Sequence, residues 1–123
     1  MDKRRRIIAV VDDDLSMLSA TKDMLDALDF VAKTYASGEE FLNDRGDSEV
    51  DCLLLDIHLG GMSGVALRRQ LRESGSTLPV IFMTAFDDEV THQQALNAGC
   101  IAYLRKPCPP RALIDAIEKA LAG

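Results

Sequence analysis

An apolar segment at residues 7–11 runs directly into three consecutive aspartates, Asp12, Asp13 and Asp14. Adjacent carboxylates repel one another, and each loses hydration where it follows a buried strand, so a compensating group is required. Carboxylate oxygens are the ligands that a hard divalent cation such as Mg2+ prefers. The triplet taken alone is equally consistent with an acidic first turn of a helix, and we expect Asp14 to cap that helix.

Three other apolar segments of strand length are also followed by polar residues that can do chemistry: Asp56, Thr84 and Lys106. In an α/β sheet, ligands collect at the carboxyl ends of the strands, where side chains from neighbouring strands meet. Helix capping does not explain Asp56, because the glycine-rich loop HLGGMSG separates it from the next helical segment. The convergence of three carboxylates and one ammonium group favours a cation site over a set of helix caps.

Strand-like and helix-like patterns alternate along the whole chain. Five short apolar segments are typical of strands buried in a parallel sheet: residues 7–11, 30–35, 52–55, 80–83 and 101–104. Apolar residues recur at helical spacing between them, with the fourth helix expected from about Asp87 to Ala98. Helix boundaries are predicted at Ser37 and at Gly75 and Gly99. The alternation predicts five βα units, that is, an α/β fold with helices on both faces of a parallel sheet.

Length and composition predict one domain, residues 1–123, because 47% hydrophobic residues fill a single core in a chain of this size. The formal charge of −6 argues against direct nucleic-acid or membrane binding by this domain, since phosphate groups require a basic surface. The basic block at residues 3–6 is expected to be a solvated tail. The apolar segment at residues 7–11 is too short for a signal peptide or a membrane span.

Three cysteines, Cys52, Cys100 and Cys108, have neither disulfide nor metal-ligand spacing. We expect Cys52 and Cys100 to pack in the core. A reducing compartment is the natural context for such cysteines, so a cytoplasmic location is predicted.

Four segments together give the chain a specific resemblance over essentially its full length: VVDDD at residues 10–14, LLLDIHLGGMSG at 53–64, VIFMTA at 80–85 and YLRKP at 103–107. In this order and at these strand ends, the chain resembles the receiver domains of response regulators in two-component signalling. The resemblance implies a flavodoxin-like (βα)5 doubly wound sheet, with five parallel strands in the order 2-1-3-4-5.

The same resemblance implies roles for individual residues. Asp56 is expected to be the phosphoacceptor, with Thr84 and Lys106 completing the catalytic group. The expected Mg2+ ligands are Asp12, Asp13, Asp56 and the main-chain carbonyl of His58. Thr84 and Tyr103 are the expected switch residues, the Lys106-Pro107 bond is expected to be cis, and His58 and Phe86 are expected to flank the site and influence water access.

The function implied by the resemblance is a signalling switch and not an enzyme. A sensor histidine kinase would transfer a phosphoryl group from its phosphohistidine to Asp56. The altered surface of the fourth helix, fifth strand and fifth helix would then control an output domain or effector protein, or form a phosphorylation-induced homodimer. The resemblance implies this surface but not its individual contacts. Helical spacing makes Leu96 a candidate contact, together with Tyr103 and Arg105. The alternative, equally consistent with the sequence, is that Leu96 is buried and Arg105 is only solvated.

Two other functions compete with the signalling switch. A Mg2+-dependent phosphohydrolase also forms an aspartyl phosphate, but it typically carries a second carboxylate two residues after the nucleophile, where this chain has His58. A degenerate receiver that only binds partners is disfavoured because every expected site residue is present.

Three positions depart from the pattern of the family. Receiver domains commonly have proline where Gly60 stands, glycine where Asp29 stands and a bulky apolar residue where Cys108 stands. We expect Gly60 to loosen the loop after Asp56, and Asp29 to adopt a helix-end conformation that aspartate tolerates. None of the three is expected to touch the chemistry.

Overall fold

The computed structural model describes residues 5–44, 49–86 and 88–122. Strands and helices alternate throughout these residues: β1 (Ile7–Val11), α1 (Leu15–Ala27), β2 (Val31–Tyr35), α2 (Gly38–Asp44), β3 (Cys52–Asp56), α3 (Gly64–Glu73), β4 (Val80–Thr84), α4 (Glu89–Ala98), β5 (Ala102–Arg105) and α5 (Pro110–Ala122). The strands form one sheet in the order β2-β1-β3-β4-β5, and all neighbouring pairs are parallel. The predicted fold class and strand order are therefore confirmed.

The sheet is covered on both faces, as the apolar strand sequences predict. On one face, Leu53, Leu55 and Phe82 pack with side chains from α2, α3 and α4. On the other face, Leu54 and Ile81 pack with side chains from α1 and α5. Strands β3 and β4 are buried at every position, so polar side chains that approach them are confined to the ends of the sheet.

The predicted helix boundaries agree closely with the structure. The Asp14 carboxylate caps α1 by accepting from the N–H groups of Ser16 and Met17. Asp29, which follows α1, has φ 68°, the left-handed conformation expected of it. Gly75 and Gly99 follow α3 and α4 with φ 89° each.

Some boundaries and exposures differ from the sequence prediction. Strands β3 and β4 each extend by one residue to include Asp56 and Thr84. Leu15 fits the helical spacing of α1 but is 70% exposed, and it is the first residue of the helix. Helix α4 begins at Glu89 and is capped by Asp88, whereas Asp87 lies outside the described residues.

The predicted basic tail lies partly outside the described residues, which begin at Arg5. Arg5 and Arg6 are exposed, as expected, and form ion pairs with Asp29 and Asp51 at 3.6 and 3.5 Å. Cys52 is fully buried and Cys100 partly buried against the core, as predicted. No helix in the described part of the chain is long and apolar enough to span a bilayer.

Candidate functional site

Strand register brings the predicted site residues to one edge of the sheet. Val11 of β1 pairs with Leu55 of β3, so Asp12 and Asp56 follow at the same level. Asp56 pairs with Met83, and the next residue of β4 is Thr84, which pairs with Arg105. The carboxyl ends of the central strands therefore carry the polar residues, as the sequence predicts.

Three carboxylates meet at this edge. Asp12, Asp13 and Asp56 each offer an oxygen, and these oxygens lie within 4.8 Å of one another. Asp12 and Asp56 are buried, at 4% and 8% exposure, whereas Asp13 is exposed. An all-oxygen donor set that carries three negative charges in a partly buried site fits a hard divalent cation such as Mg2+.

Lys106 links the two buried carboxylates. Its Nζ donates to Asp12 Oδ2 at 2.5 Å and to Asp56 Oδ2 at 3.2 Å, and its side chain is 10% exposed. Main-chain N–H groups hold the other oxygens: Asp14 N–H donates to Asp12 Oδ1 at 3.0 Å, and His58 N–H donates to Asp56 Oδ1 at 3.2 Å. The cluster nevertheless has three negative charges and one positive charge, so a further cation would reduce its repulsion.

The local electrostatics alter the ionisation of both partners. Burial raises the pKa of Asp56 and the charge of Asp12 adds to this, while the charge of Lys106 acts in the opposite direction. Burial by itself lowers the pKa of Lys106, but its hydrogen bonds to, and the charges of, Asp12 and Asp56 outweigh burial and leave that pKa raised. Lys106 is therefore held firmly in its charged form beside Asp56.

Thr84 lies at the end of β4 and is completely buried. Its Oγ1 donates to the carbonyl of Phe86 and accepts from the Phe86 N–H, both at 3.0 Å. Both hydrogen bonds of the hydroxyl are thus made to the main chain of the loop between β4 and α4. Tyr103, the other predicted switch residue, lies on β5, where its partly buried ring stacks on His92 with centroids 4.3 Å apart.

A cavity of about 350 Å³ opens above the carboxylates, and its lining is Asp12, Asp13, Asp14, Met17, Asp56, His58, Ala85, Phe86, Lys106 and Pro107. The rings of His58 and Phe86 meet edge to face across it, with centroids 5.3 Å apart. Phe86 is 65% exposed. A larger cavity of about 520 Å³ lies at the opposite edge of the sheet and contains none of the predicted site residues.

The structure thus brings together Asp12, Asp13, Asp56, His58 and Lys106 around one cavity, whereas Thr84 and Tyr103 do not line it. The Lys106-Pro107 bond is cis, as expected. Sequence reasoning did not identify Met17 or Ala85, since apolar residues give no chemical signal. The structure also differs from the expectation that Gly60 loosens the loop after Asp56. The Gly60 N–H donates to Asp13 Oδ2 at 3.1 Å and so ties this loop to the site.

Comparison with known proteins identifies one family along most of the chain. The family model for the response regulator receiver domain matches residues 8–118. The response regulator protein TodT of Pseudomonas putida is 33% identical over 121 residues, which cover 98% of this chain and 53% of TodT. The DNA-binding transcriptional regulator NtrC of Escherichia coli is 34% identical over 119 residues, covering 97% of this chain and 25% of NtrC. This chain spans about half the length of TodT.

Solved structures of similar proteins have the same fold as this chain. FixJ-N superposes with a TM-score of 0.89 at 29% identity, covering 97% of this chain and 95% of FixJ-N. The BeF3-activated DrrB receiver domain superposes with a TM-score of 0.87 at 31% identity, covering 98% of this chain and all of that domain. The order of strands, the acidic edge and the match over most of the sequence have one common explanation: this chain belongs to the receiver domains of response regulators, which act in two-component phosphorylation-dependent signalling.

Proposed function

We propose that this chain is a single receiver domain, residues 1–123, in which Asp56 accepts a phosphoryl group from the phosphohistidine of a sensor histidine kinase. The observation that carries the proposal is the position of Asp56. Asp56 lies at the end of a fully buried strand and lines a cavity of about 350 Å³. Its carboxylate accepts a hydrogen bond from Lys106 and lies beside two further aspartates.

Phosphoryl transfer depends mainly on positioning and on neutralisation of charge. An oxygen of Asp56 forms the new bond to phosphorus, the phosphorus–nitrogen bond of the donor breaks, and the imidazole keeps the electron pair. Lys106 orients Asp56 through Oδ2 and provides a positive charge for the incoming phosphoryl oxygens. Mg2+, held by Asp12, Asp13, Asp56 and the His58 carbonyl, would supply further charge neutralisation.

Thr84 is the proposed sensor of the phosphoryl group. To donate a hydrogen bond to a phosphoryl oxygen, its hydroxyl must give up the bond to the Phe86 carbonyl. The loop between β4 and α4 would then move, and the change would reach Tyr103 through α4, where His92 stacks on its ring. The proposed result is an altered surface formed by α4, β5 and α5.

This surface is the proposed binding site for an output domain, an effector protein or a second copy. Val90 and Leu96 on α4 are 68% and 51% exposed, respectively, so apolar contact area is available there. The net charge of −6 supports a role without direct nucleic-acid or membrane contact by this domain. Three free cysteines support the expected cytoplasmic location.

We further propose that the domain catalyses only its own phosphorylation and slow autodephosphorylation. A phosphohydrolase of this kind typically carries a second carboxylate two residues after the nucleophile, where this chain has His58, whose ring packs against Phe86. Turnover of phosphate esters under saturating Mg2+ would refute the regulatory role.

Small phosphodonors provide the direct test of the proposed site. Incubation with acetyl phosphate and Mg2+ should add the mass of one phosphoryl group to the wild-type protein. The adduct should be absent from Asp56→Asn and from wild type in the presence of a chelator. An unchanged adduct on Asp56→Asn would show that another residue accepts the phosphoryl group.

A further inference from the structure

The loop between β3 and α3 is tied to two of the three clustered carboxylates through its own main chain. The His58 N–H donates to Asp56 Oδ1 at 3.2 Å, and the Gly60 N–H donates to Asp13 Oδ2 at 3.1 Å. The short segment between these two amides carries the His58 carbonyl. Two hydrogen bonds therefore fix the segment at both ends, one to each carboxylate.

The Gly60 N–H matters more for the orientation of the Asp13 carboxylate than for the carboxylates of Asp12 and Asp56. Asp12 and Asp56 both bond to Lys106, which orients them and offsets their charge. Asp13 is exposed, and within the described part of the chain the Gly60 N–H is the hydrogen-bond partner found for its carboxylate. Without that amide, Asp13 would sample several rotamers, and ordering it at a cation would cost conformational entropy.

We propose that the Gly60 N–H is a positioning group for the magnesium site, because it holds the Asp13 carboxylate and the His58 carbonyl segment in place together. This role rests on the magnesium site of the proposed function. The amide uses Asp13 Oδ2, so Oδ1 stays available for the cation. Groups that orient metal ligands in this way typically change metal affinity by about 10- to 100-fold when they are lost.

The identity of residue 60 decides whether the amide exists. Proline, which receiver domains commonly carry at this position, has no N–H and cannot make the bond. Glycine supplies the donor, but so would alanine: a Cβ at Gly60 would lie 3.7 Å from Asp13 Oδ2, an ordinary van der Waals distance. Gly60→Pro and Gly60→Ala are therefore a matched pair, one without the amide and one with it.

A second bond secures the loop beyond Gly60. The Met62 N–H donates to Glu39 Oε2 of α2 at 3.3 Å, and Gly61 between them has φ 78°. Loss of the Gly60 amide should therefore free the Gly60 end of the segment, while the His58 N–H stays bonded to Asp56 and Met62 stays attached to α2. Glu39→Gln, which alters only that distal contact, should change Mg2+ affinity less than Gly60→Pro does.

Magnesium titration followed by the amide signals in heteronuclear NMR tests the proposal. We expect the Mg2+ dissociation constant of Gly60→Pro to rise about tenfold over wild type, while Gly60→Ala remains within about threefold. A dissociation constant for Gly60→Pro that equals or falls below the wild-type value would overturn the positioning role. Failure of the wild type itself to bind Mg2+ would refute the proposed magnesium site instead.

A measurement without metal keeps the proposal testable if Gly60→Pro does not fold, as judged by circular dichroism. In metal-free wild type, the Gly60 amide proton should exchange slowly with solvent because it is bonded to Asp13. In Asp13→Ala, we expect that exchange to accelerate and the proton resonance to move upfield. Equal exchange rates in the two proteins would show that the bond does not form in solution and would overturn the proposal.

Discussion

The hydroxyl of Thr84 exchanges two hydrogen bonds with the main chain of Phe86, each 3.0 Å long. Both the proton and an acceptor lone pair of the hydroxyl are therefore engaged by the loop between β4 and α4. A buried hydroxyl gives up such bonds only for a partner that replaces them, since an unsatisfied buried group is costly. A phosphoryl oxygen on Asp56 would be such a partner, so we expect this pair of residues to couple phosphorylation to movement of the loop.

The first prediction concerns this coupling. Thr84→Ala should still accept a phosphoryl group at Asp56 but should lose the conformational response, because no hydroxyl remains to leave Phe86. Thr84→Ser retains the hydroxyl and should respond like wild type. The measurement is the change in the amide signals of α4 on addition of beryllofluoride with Mg2+. A full response from Thr84→Ala would contradict the role of the hydroxyl.

The fold could be predicted from the sequence because it depends on patterns that repeat locally. Alternating strand and helix segments define the βα units, and a polar residue at or just after the end of each central strand marks the edge that carries the candidate site. The partners of individual groups could not be predicted. The bond from the Gly60 amide to Asp13 joins positions far apart in sequence, and the orientation of the Thr84 hydroxyl depends on loop geometry that residue types do not encode.

The second prediction concerns charge repulsion in the metal-free site. Asp13→Asn removes one of three clustered negative charges, and the Asn carbonyl can still accept from the Gly60 N–H. We expect the melting temperature in chelator to rise by roughly 3 to 6 °C. Asp12→Asn should gain less, because it also weakens the bond to Lys106. A lower melting temperature for Asp13→Asn in chelator would argue against electrostatic strain.

The third prediction concerns Gly64, the first residue of α3. A Cβ there would lie 2.3 Å from the Asp56 carbonyl oxygen and 2.9 Å from Ile57 Cα, both main-chain atoms with little freedom to move. Gly64→Ala should therefore cost about 1 to 3 kcal/mol of unfolding free energy and slow phosphorylation by displacing Asp56. Urea denaturation and the rate of labelling by acetyl phosphate measure the two effects.

Gly38→Ala is the matched control for Gly64→Ala, since Gly38 is also buried at the first position of a helix, α2. The nearest atom to its added Cβ is Leu67 Cδ2 at 3.4 Å, the end of a flexible side chain. This variant should lose less than about 0.5 kcal/mol of unfolding free energy, because the added methyl makes an ordinary van der Waals contact and alanine is favoured over glycine in a helix. Equal losses in both variants would mean that the contact with Asp56 is unimportant.

The fourth prediction concerns the lifetime of the phosphoryl group. The Phe86 ring lines the cavity above Asp56 and contacts His58 edge to face, so we expect it to obstruct the approach of water without offering a group that orients it. If this shielding raises the hydrolysis barrier by about 1 kcal/mol, Phe86→Ala should shorten the half-life of phosphorylated Asp56 about fivefold. Val90→Ala is the control, because Val90 is similarly exposed, at 68% against 65% for Phe86, but does not line the cavity. An unchanged half-life in Phe86→Ala would rule out shielding.

The last prediction concerns the surface formed by α4, β5 and α5. Ala95 and Ala98 of α4 pack on the sheet, which leaves Leu96 directed outward and 51% exposed, while Arg105 at the end of β5 is also exposed. A charge placed at Leu96 would be desolvated in an interface, so Leu96→Asp should weaken any dimer induced by beryllofluoride at least about tenfold. Arg105→Glu should weaken it as well by reversing a charge on the same surface.

Leu15→Gln is the control for this prediction. It alters a comparably exposed leucine on α1 and should leave the dimer unchanged. Sedimentation velocity with and without beryllofluoride measures the association, and a dimer that persists in both Leu96→Asp and Arg105→Glu would exclude this surface as the interface.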